Sequence, residues 1–168
     1  MKKLLLLFVI SLALLPAGYS KVNYLILVGS YNIRYDNPHD GINVWANRKE
    51  HVKALIQFHE WDIFGTQEAM INQVKDIAEL QQYACYGKGR DDGREAGEHC
   101  AIFYKKDRFK LLVSGDFWLS ERTRSHRIDY IFVNDQINVL KYGVLTDFYG
   151  HQSYPSDHFP IVAKVIIN

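Results

Sequence analysis

The chain has 168 residues, 48% of them hydrophobic and 23% charged, which are globular values and exclude a collagen-like or low-complexity protein. Its length suits one domain built on one core. A formal charge of +1 excludes a strong general polyanion binder, because such binding is largely electrostatic. Aromatic residues make up 14%, with 11 Tyr among them, so Tyr is a main source of packing area.

Met1-Lys2-Lys3 is a positive head, Leu4 to Leu15 is apolar apart from one Ser, and Pro16 ends the run ahead of Gly18-Tyr19-Ser20. This order is expected of a signal peptide over residues 1–20, with a mature domain over 21–168. The apolar run is too short to span a bilayer, which favours a cleaved signal over the alternative, an uncleaved anchor; no membrane association is expected after cleavage, and the expected location is secreted or periplasmic. Removing residues 1–20 takes away Lys2 and Lys3 and no acid, which turns the charge of +1 into −1. The two cysteines, Cys85 and Cys100, flank a glycine-rich turn region; a disulfide and two buried thiols are both compatible with that placement.

Tyr24 to Val28 reads as a buried strand that leads into Tyr31-Asn32-Ile33. Asp36 to Gly41 is rich in turn residues. Trp45, Val52, Leu55, Ile56 and His59 recur at helical spacing. Asp62 to Gly65 is a second short strand that delivers Gln67-Glu68, and Met70 to Ala78 is a second helix. Strands are expected at Gln82 to Tyr86 and Cys100 to Tyr104, around a loop with Gly87, Gly89, Gly93 and Gly97. Strand-like runs follow at Phe109 to Val113, Phe117 to Leu119, Ile128 to Val133, Ile137 to Leu145 and Ile161 to Ile167. Helices confined to the first half, mixed with many strands, give an α/β or α+β class with partly antiparallel sheets.

Four polar groups fall at strand ends or in adjoining loops: Asn32, Glu68, Asp129 and the pair Asp157-His158. Strands fix the position of groups at their ends. A hard divalent cation takes carboxylate and amide oxygens, which Glu68, Asp157 and Asn32 carry. His158 suits a general acid or base, and Asp129 could hold its imidazole. Taken by spacing alone, each is equally readable as a turn former or a loop cap. Arg34 and Arg90 suit phosphate oxygens or a salt bridge to a nearby acid. Asp91 and Asp92 read as turn residues, the three tryptophans as core, and Tyr154 as a cleft wall or as loop packing.

The local wording adds to this. Tyr31-Asn32-Ile33-Arg34-Tyr35-Asp36, Gln67-Glu68, Gly89-Arg90-Asp91-Asp92-Gly93, Phe117-Trp118-Leu119-Ser120, Arg127-Ile128-Asp129-Tyr130-Ile131 and Pro155-Ser156-Asp157-His158-Phe159-Pro160 occur in that order. Together they resemble the endonuclease/exonuclease/phosphatase family, the deoxyribonuclease-I-like fold, and its secreted bacterial branch in particular. The resemblance implies a four-layer sandwich of two mainly antiparallel or mixed sheets flanked by helices. It implies hydrolysis of a phosphoester by water with Mg²⁺ or Mn²⁺. Glu68 would be the principal metal ligand, and Asn32 would contact metal or phosphate. His158, oriented by Asp129, would touch the scissile phosphate beside Asp157.

The chain departs from that pattern in one place. The family's Thr-His strand motif and its Gly-Asp-x-Asn motif are missing before Asp129, and only 61 positions separate Glu68 from Asp129. Gly115-Asp116-Phe117-Trp118 carries Trp where Asn belongs. Residues 121–126 read as the junction of a deletion, so a truncated sandwich is expected. The surviving motifs imply a phosphoester hydrolase of the nuclease, phosphodiesterase or phosphatase type. The missing one implies an inactive remnant or an incomplete gene model. Aromatic content alone would allow an exported ligand-binding module.

Overall fold

β1, Tyr24–Asn32, is the spine of the molecule. Successive residues of a strand face opposite ways. Gly29 and Tyr31 thus meet Trp61 on the helical side, while Ile26 and Val28 join a smaller cluster on the other. The computed structural model describes residues 24–114, 131, 133–149 and 153–167. The expected signal peptide, the strand at Phe117 to Leu119, the junction at 121–126 and Asp129 lie outside the described residues, as does most of Ile128 to Val133.

β1 is followed by a 3-10 turn at Gly41–Asn43 and helix α1, Trp45–Phe58. Next come β2, Ile63–Gln67; helix α2, Ile71–Ala78; β3, Tyr83–Tyr86; and β4, Ile102–Lys105. β5, Ile137–Val144, and β6, Ile161–Ile167, complete the sheet. Its order is β3-β4-β2-β1-β6-β5. β1 and β2 pair in parallel, from Val28 opposite Ile63 to Asn32 opposite Gln67. The crossover that a parallel pair requires is supplied by α1. All other pairings are antiparallel.

The architecture is therefore mixed α/β, as expected. Among the described residues all six strands join one sheet, and a second sheet of the expected sandwich is not formed by them. Phe109 to Val113 is not a strand. Leu112 and Val113 are 83% and 87% exposed, and among the described residues no strand pairs with them. Cys85 and Cys100 are free and exposed, which corrects both sequence readings. Cys85 stands opposite Phe103, three residues beyond Cys100, so the register keeps the two thiols apart.

The main core lies between the sheet and α1 and α2. Trp45, Val52, Leu55 and Ile56 supply the buried stripe of α1. Phe64 stacks on Phe103 with centroids 5.0 Å apart and meets Tyr83 edge-on at 5.3 Å. The helices are tied by Trp45 Nε1, which donates to Asp76 Oδ2 at 2.6 Å. Gly29 is required by this packing: a Cβ there would stand 2.7 Å from the Trp61 ring and 3.1 Å from the Phe64 Cβ.

The end of β2 away from Glu68 is anchored by Asp62, 5% exposed. The Leu27 N–H donates to Asp62 Oδ2 at 2.8 Å, Lys105 Nζ lies 3.0 Å from Oδ1, and Arg108 Nη1 also pairs with Oδ2. Burial alone pushes the Asp62 carboxyl up. The Leu27 amide, Arg108 and Lys105 outweigh burial and hold it below the ordinary carboxylate value.

Two outcomes are expected. Gly29→Ala overpacks the core and lowers unfolding stability by about 1–3 kcal/mol, read from a denaturant midpoint. Asp62, with a depressed folded pKa, contributes stability that is present above the ordinary value of 3.8 and lost as pH falls through its lower folded value. The stability gap between the protein and Asp62→Asn, measured by denaturation from neutral pH downward, therefore narrows only in strong acid. A gap that is constant through that range would refute the assignment.

Candidate active site

The parallel pairing of β1 with β2 brings two strand ends level, and Asn32 and Glu68 leave the sheet side by side. Asn32 is 7% exposed. Its Nδ2 donates to Glu68 Oε1 at 2.9 Å, and its Oδ1 accepts from the Arg34 N–H at 2.9 Å. The second Glu68 oxygen accepts from the Tyr35 N–H at 3.2 Å. One amide and one carboxylate thus hold the two chain reversals together.

Both reversals pass through the left-handed region. Arg34 has φ 61° and Glu68 has φ 59°. For residues with a Cβ this costs about 1 kcal/mol or more each, and it persists only where surrounding bonds enforce it. At Arg34 those bonds are visible. Its carbonyl accepts from Gln73 Nε2 at 3.0 Å and from Arg48 Nη2 at 3.2 Å. Gln73 is fully buried at the start of α2, where its Oε1 also accepts from the Met70 N–H at 2.8 Å. After Glu68, Ala69 bridges to His99, whose N–H donates to the Ala69 carbonyl at 2.7 Å.

The C-terminal loop is captured by the same strand end. Ser156 Oγ donates to the Asn32 carbonyl at 2.7 Å across 124 positions, and the His158 N–H donates to Ser156 Oγ at 3.2 Å. Arg34 pairs with Asp40 at 2.6 Å and reaches to 3.9 Å from Asp157 Oδ2. Asn32, Glu68, Arg34, Asp157 and His158 therefore meet at one end of the sheet. Asp129 lies outside the described residues. Arg90 is exposed on the loop between β3 and β4, where it faces Asp91 and Glu98, each at 3.3 Å. Asp92 is a turn residue: its Oδ1 accepts from the N–H groups of Ala96 and Arg94, which hold its carboxyl below the ordinary value. Trp45 and Trp61 are core, and Trp118 lies outside the described residues.

Sequence reading misses Arg48 as well as Gln73. Arg48 is 1% exposed on the inner face of α1. Its Nη1 donates to the Ile33 and Pro155 carbonyls, both at 2.8 Å, Nη2 donates to Arg34, and Nε donates to Asn43. Burial, reinforced by the charge of Arg34, lowers its pKa. The one signal available was a charged residue within the helical apolar stripe, three positions after Trp45.

The donors suit a hard divalent cation. Each Glu68 oxygen accepts one hydrogen bond and has lone-pair capacity left. Asn32 adds an amide, and Asp157 has a half-exposed carboxylate nearby. No group of three His, Cys, Asp or Glu side chains that could hold a metal occurs among the described residues. Glu68, Asp157 and Asn32 are the residues whose carboxylate and amide oxygens would meet such a cation.

No family model and no curated protein matches the chain. Solved structures do. An endonuclease/exonuclease/phosphatase family protein from Bacteroides thetaiotaomicron matches with a TM-score of 0.78 and 25% identity, over 88% of this chain and 99% of that one. A mannosyl-6-phosphatase of the same organism matches with a TM-score of 0.76 and 25% identity, over 83% of this chain and 99% of its own. A humanized D. rerio TDP2, at 11% identity and a TM-score of 0.60, shares the fold alone. The chain has the endonuclease/exonuclease/phosphatase, or deoxyribonuclease-I-like, fold.

Arg48→Met strands several carbonyls without a donor and is expected to lower stability by about 3 kcal/mol or more in denaturant unfolding. Amide exchange should rise first at Arg34, Tyr35 and residues 156–158. Uniform protection in a fully stable variant would show that the guanidinium does not organise this end of the sheet.

Proposed function

We propose that the chain is a phosphoester hydrolase that works with Mg²⁺ or Mn²⁺. The reading is carried by one observation: Asn32, Glu68, Arg34, Asp157 and His158, remote in sequence, share one hydrogen-bonded end of the sheet. Glu68 is the principal metal ligand, with Asn32 and Asp157 the other oxygen donors. The cation, when bound, polarises a phosphoryl oxygen and offsets charge on the leaving group. Arg34 places a guanidinium, 27% exposed at its side chain, where a phosphate oxygen can replace its distant partner Asp157. His158 donates to the scissile phosphate, and its backbone N–H is pinned by Ser156. Asp129 is assigned to its imidazole. Arg90 is a further phosphate contact at the rim.

The likeness to a mannosyl-6-phosphatase supports sugar phosphates as the first substrates to assay, beside phosphodiesters. The head, apolar run and small residues of Met1–Ser20 support an exported protein. A second reading is favoured by the missing Gly-Asp-x-Asn motif before Asp129: a member of the fold that binds cation and phosphate without turnover. Groups that act as a unit lose several orders of magnitude in rate when one is removed.

The deciding assay is a panel of phosphomonoesters and phosphodiesters with and without Mg²⁺. Expected is chelator-sensitive turnover that falls about a hundredfold or more in Glu68→Ala and in His158→Ala. A folded chain that binds Mg²⁺ and phosphate but turns nothing over supports the second reading. Turnover indifferent to chelator and to both substitutions rejects the proposal.

A further inference from the structure

Arg34 is held at both of its ends. Its carbonyl accepts from Gln73 and Arg48, and its guanidinium Nη2 donates to Asp40 Oδ1 at 2.6 Å. Asp40 opens the 3-10 turn and is followed by Gly41 at φ 57°. An Asp in that place commonly caps the turn with its own carboxylate. Asp40 makes no such cap, and among the described residues its only side-chain partner is Arg34. Its Oδ2 is buried without a partner, so no other donor competes for the carboxylate. The turn itself is tied to α1: Asn47 Nδ2 donates to the Ile42 carbonyl at 3.0 Å, and Arg48 Nε to that of Asn43 at 2.5 Å. Nε of Arg34 faces Asp157 Oδ2 at 3.9 Å, too far for a hydrogen bond.

We propose that Asp40 is a positioning residue for phosphate recognition: it holds the Arg34 guanidinium by Nη2 and leaves the donors on Nε and Nη1 set for phosphate oxygens. This rests on the phosphoester reading above and deepens it. An arginine side chain loses rotamer freedom when it grips a ligand. A charge-assisted bond to a carboxylate on a fixed turn orders the side chain before the ligand arrives. The two acids beside Arg34 differ in what they can do. The Asp157 side chain is 52% exposed and makes no hydrogen bond to Arg34, so a phosphate oxygen can take its place there. The Asp40 side chain is 16% exposed and already bonded, so it stays. A carboxylate that competed with substrate would have to swing into water, which the burial of Asp40 opposes.

The test is titration calorimetry with inorganic phosphate in Mg²⁺, with Mn²⁺ affinity read separately by electron paramagnetic resonance. Expected for Asp40→Ala is phosphate binding weakened about tenfold, with Mn²⁺ affinity kept within about twofold. Asp40→Glu, which keeps a carboxylate on the same turn, recovers most of the loss. Arg34→Ala weakens phosphate at least as much. Adding Asp40→Ala to it brings no further loss, because Asp40 acts through Arg34. Asp40→Asn keeps the shape of the side chain and gives the same direction if Asp40→Ala does not fold. Phosphate affinity unchanged or raised in the Asp40 variants overturns the positioning role. So does an additive loss in the double variant, or an equal loss of Mn²⁺ affinity. An unsubstituted protein that binds no phosphate in Mg²⁺ overturns the phosphoester reading and the role of Asp40 with it.

Discussion

The guanidinium of Arg48 is the contact on which this end of the molecule depends. It is buried against the sheet and joined to backbone carbonyls from three separate stretches: Asn43, the turn at Ile33 and Arg34, and Pro155. A planar group with five donors can hold carbonyls in several directions at once, which an ammonium cannot match. Its hydrogen bond to Pro155 spans 107 positions. Without it the loop of His158 would be held mainly by Ser156, and the strained turn at Arg34 would lose one of its two carbonyl partners.

The rest of the architecture follows a division of labour along β2. One terminus is clamped by Asp62 and its two bases, and the other presents Glu68. The parallel register then sets Asn32 and Glu68 level without further adjustment. Two residues are held at positive φ where this reversal occurs, and no residue in the sheet itself needs such a conformation. Glu60, ahead of β2, is the third such residue at φ 51°, so left-handed turns without glycine flank β2 at both ends.

Most of the scaffold was legible in the sequence, because α1, α2, β1, β2 and β6 bury faces with a regular period. Asn32 and Glu68 were legible as strand-end polar residues, and their likeness to known motifs named them. The link between them was not, since a parallel register depends on an α-helical crossover rather than on local pattern. Arg48 and Gln73 were hidden for the same reason: each works on carbonyls distant in sequence, and neither belongs to a short motif. Phe109 to Val113 misled because apolar, strand-favouring residues form a strand only against a partner, and none of the described strands pairs with them. The positive φ of Arg34 and Glu68 was invisible, as nothing about either residue type favours it.

The position of β6 has a consequence for folding. It lies between β5 and β1, so one edge of β1 stays unpaired until a strand more than a hundred residues later reaches it. Every pairing of β1 on that side, from Tyr24 with Ile167 to Ser30 with Ile161, closes a loop of more than 130 residues. Closing so long a loop carries an entropic cost that local helices do not bear, so this pairing is slow to form.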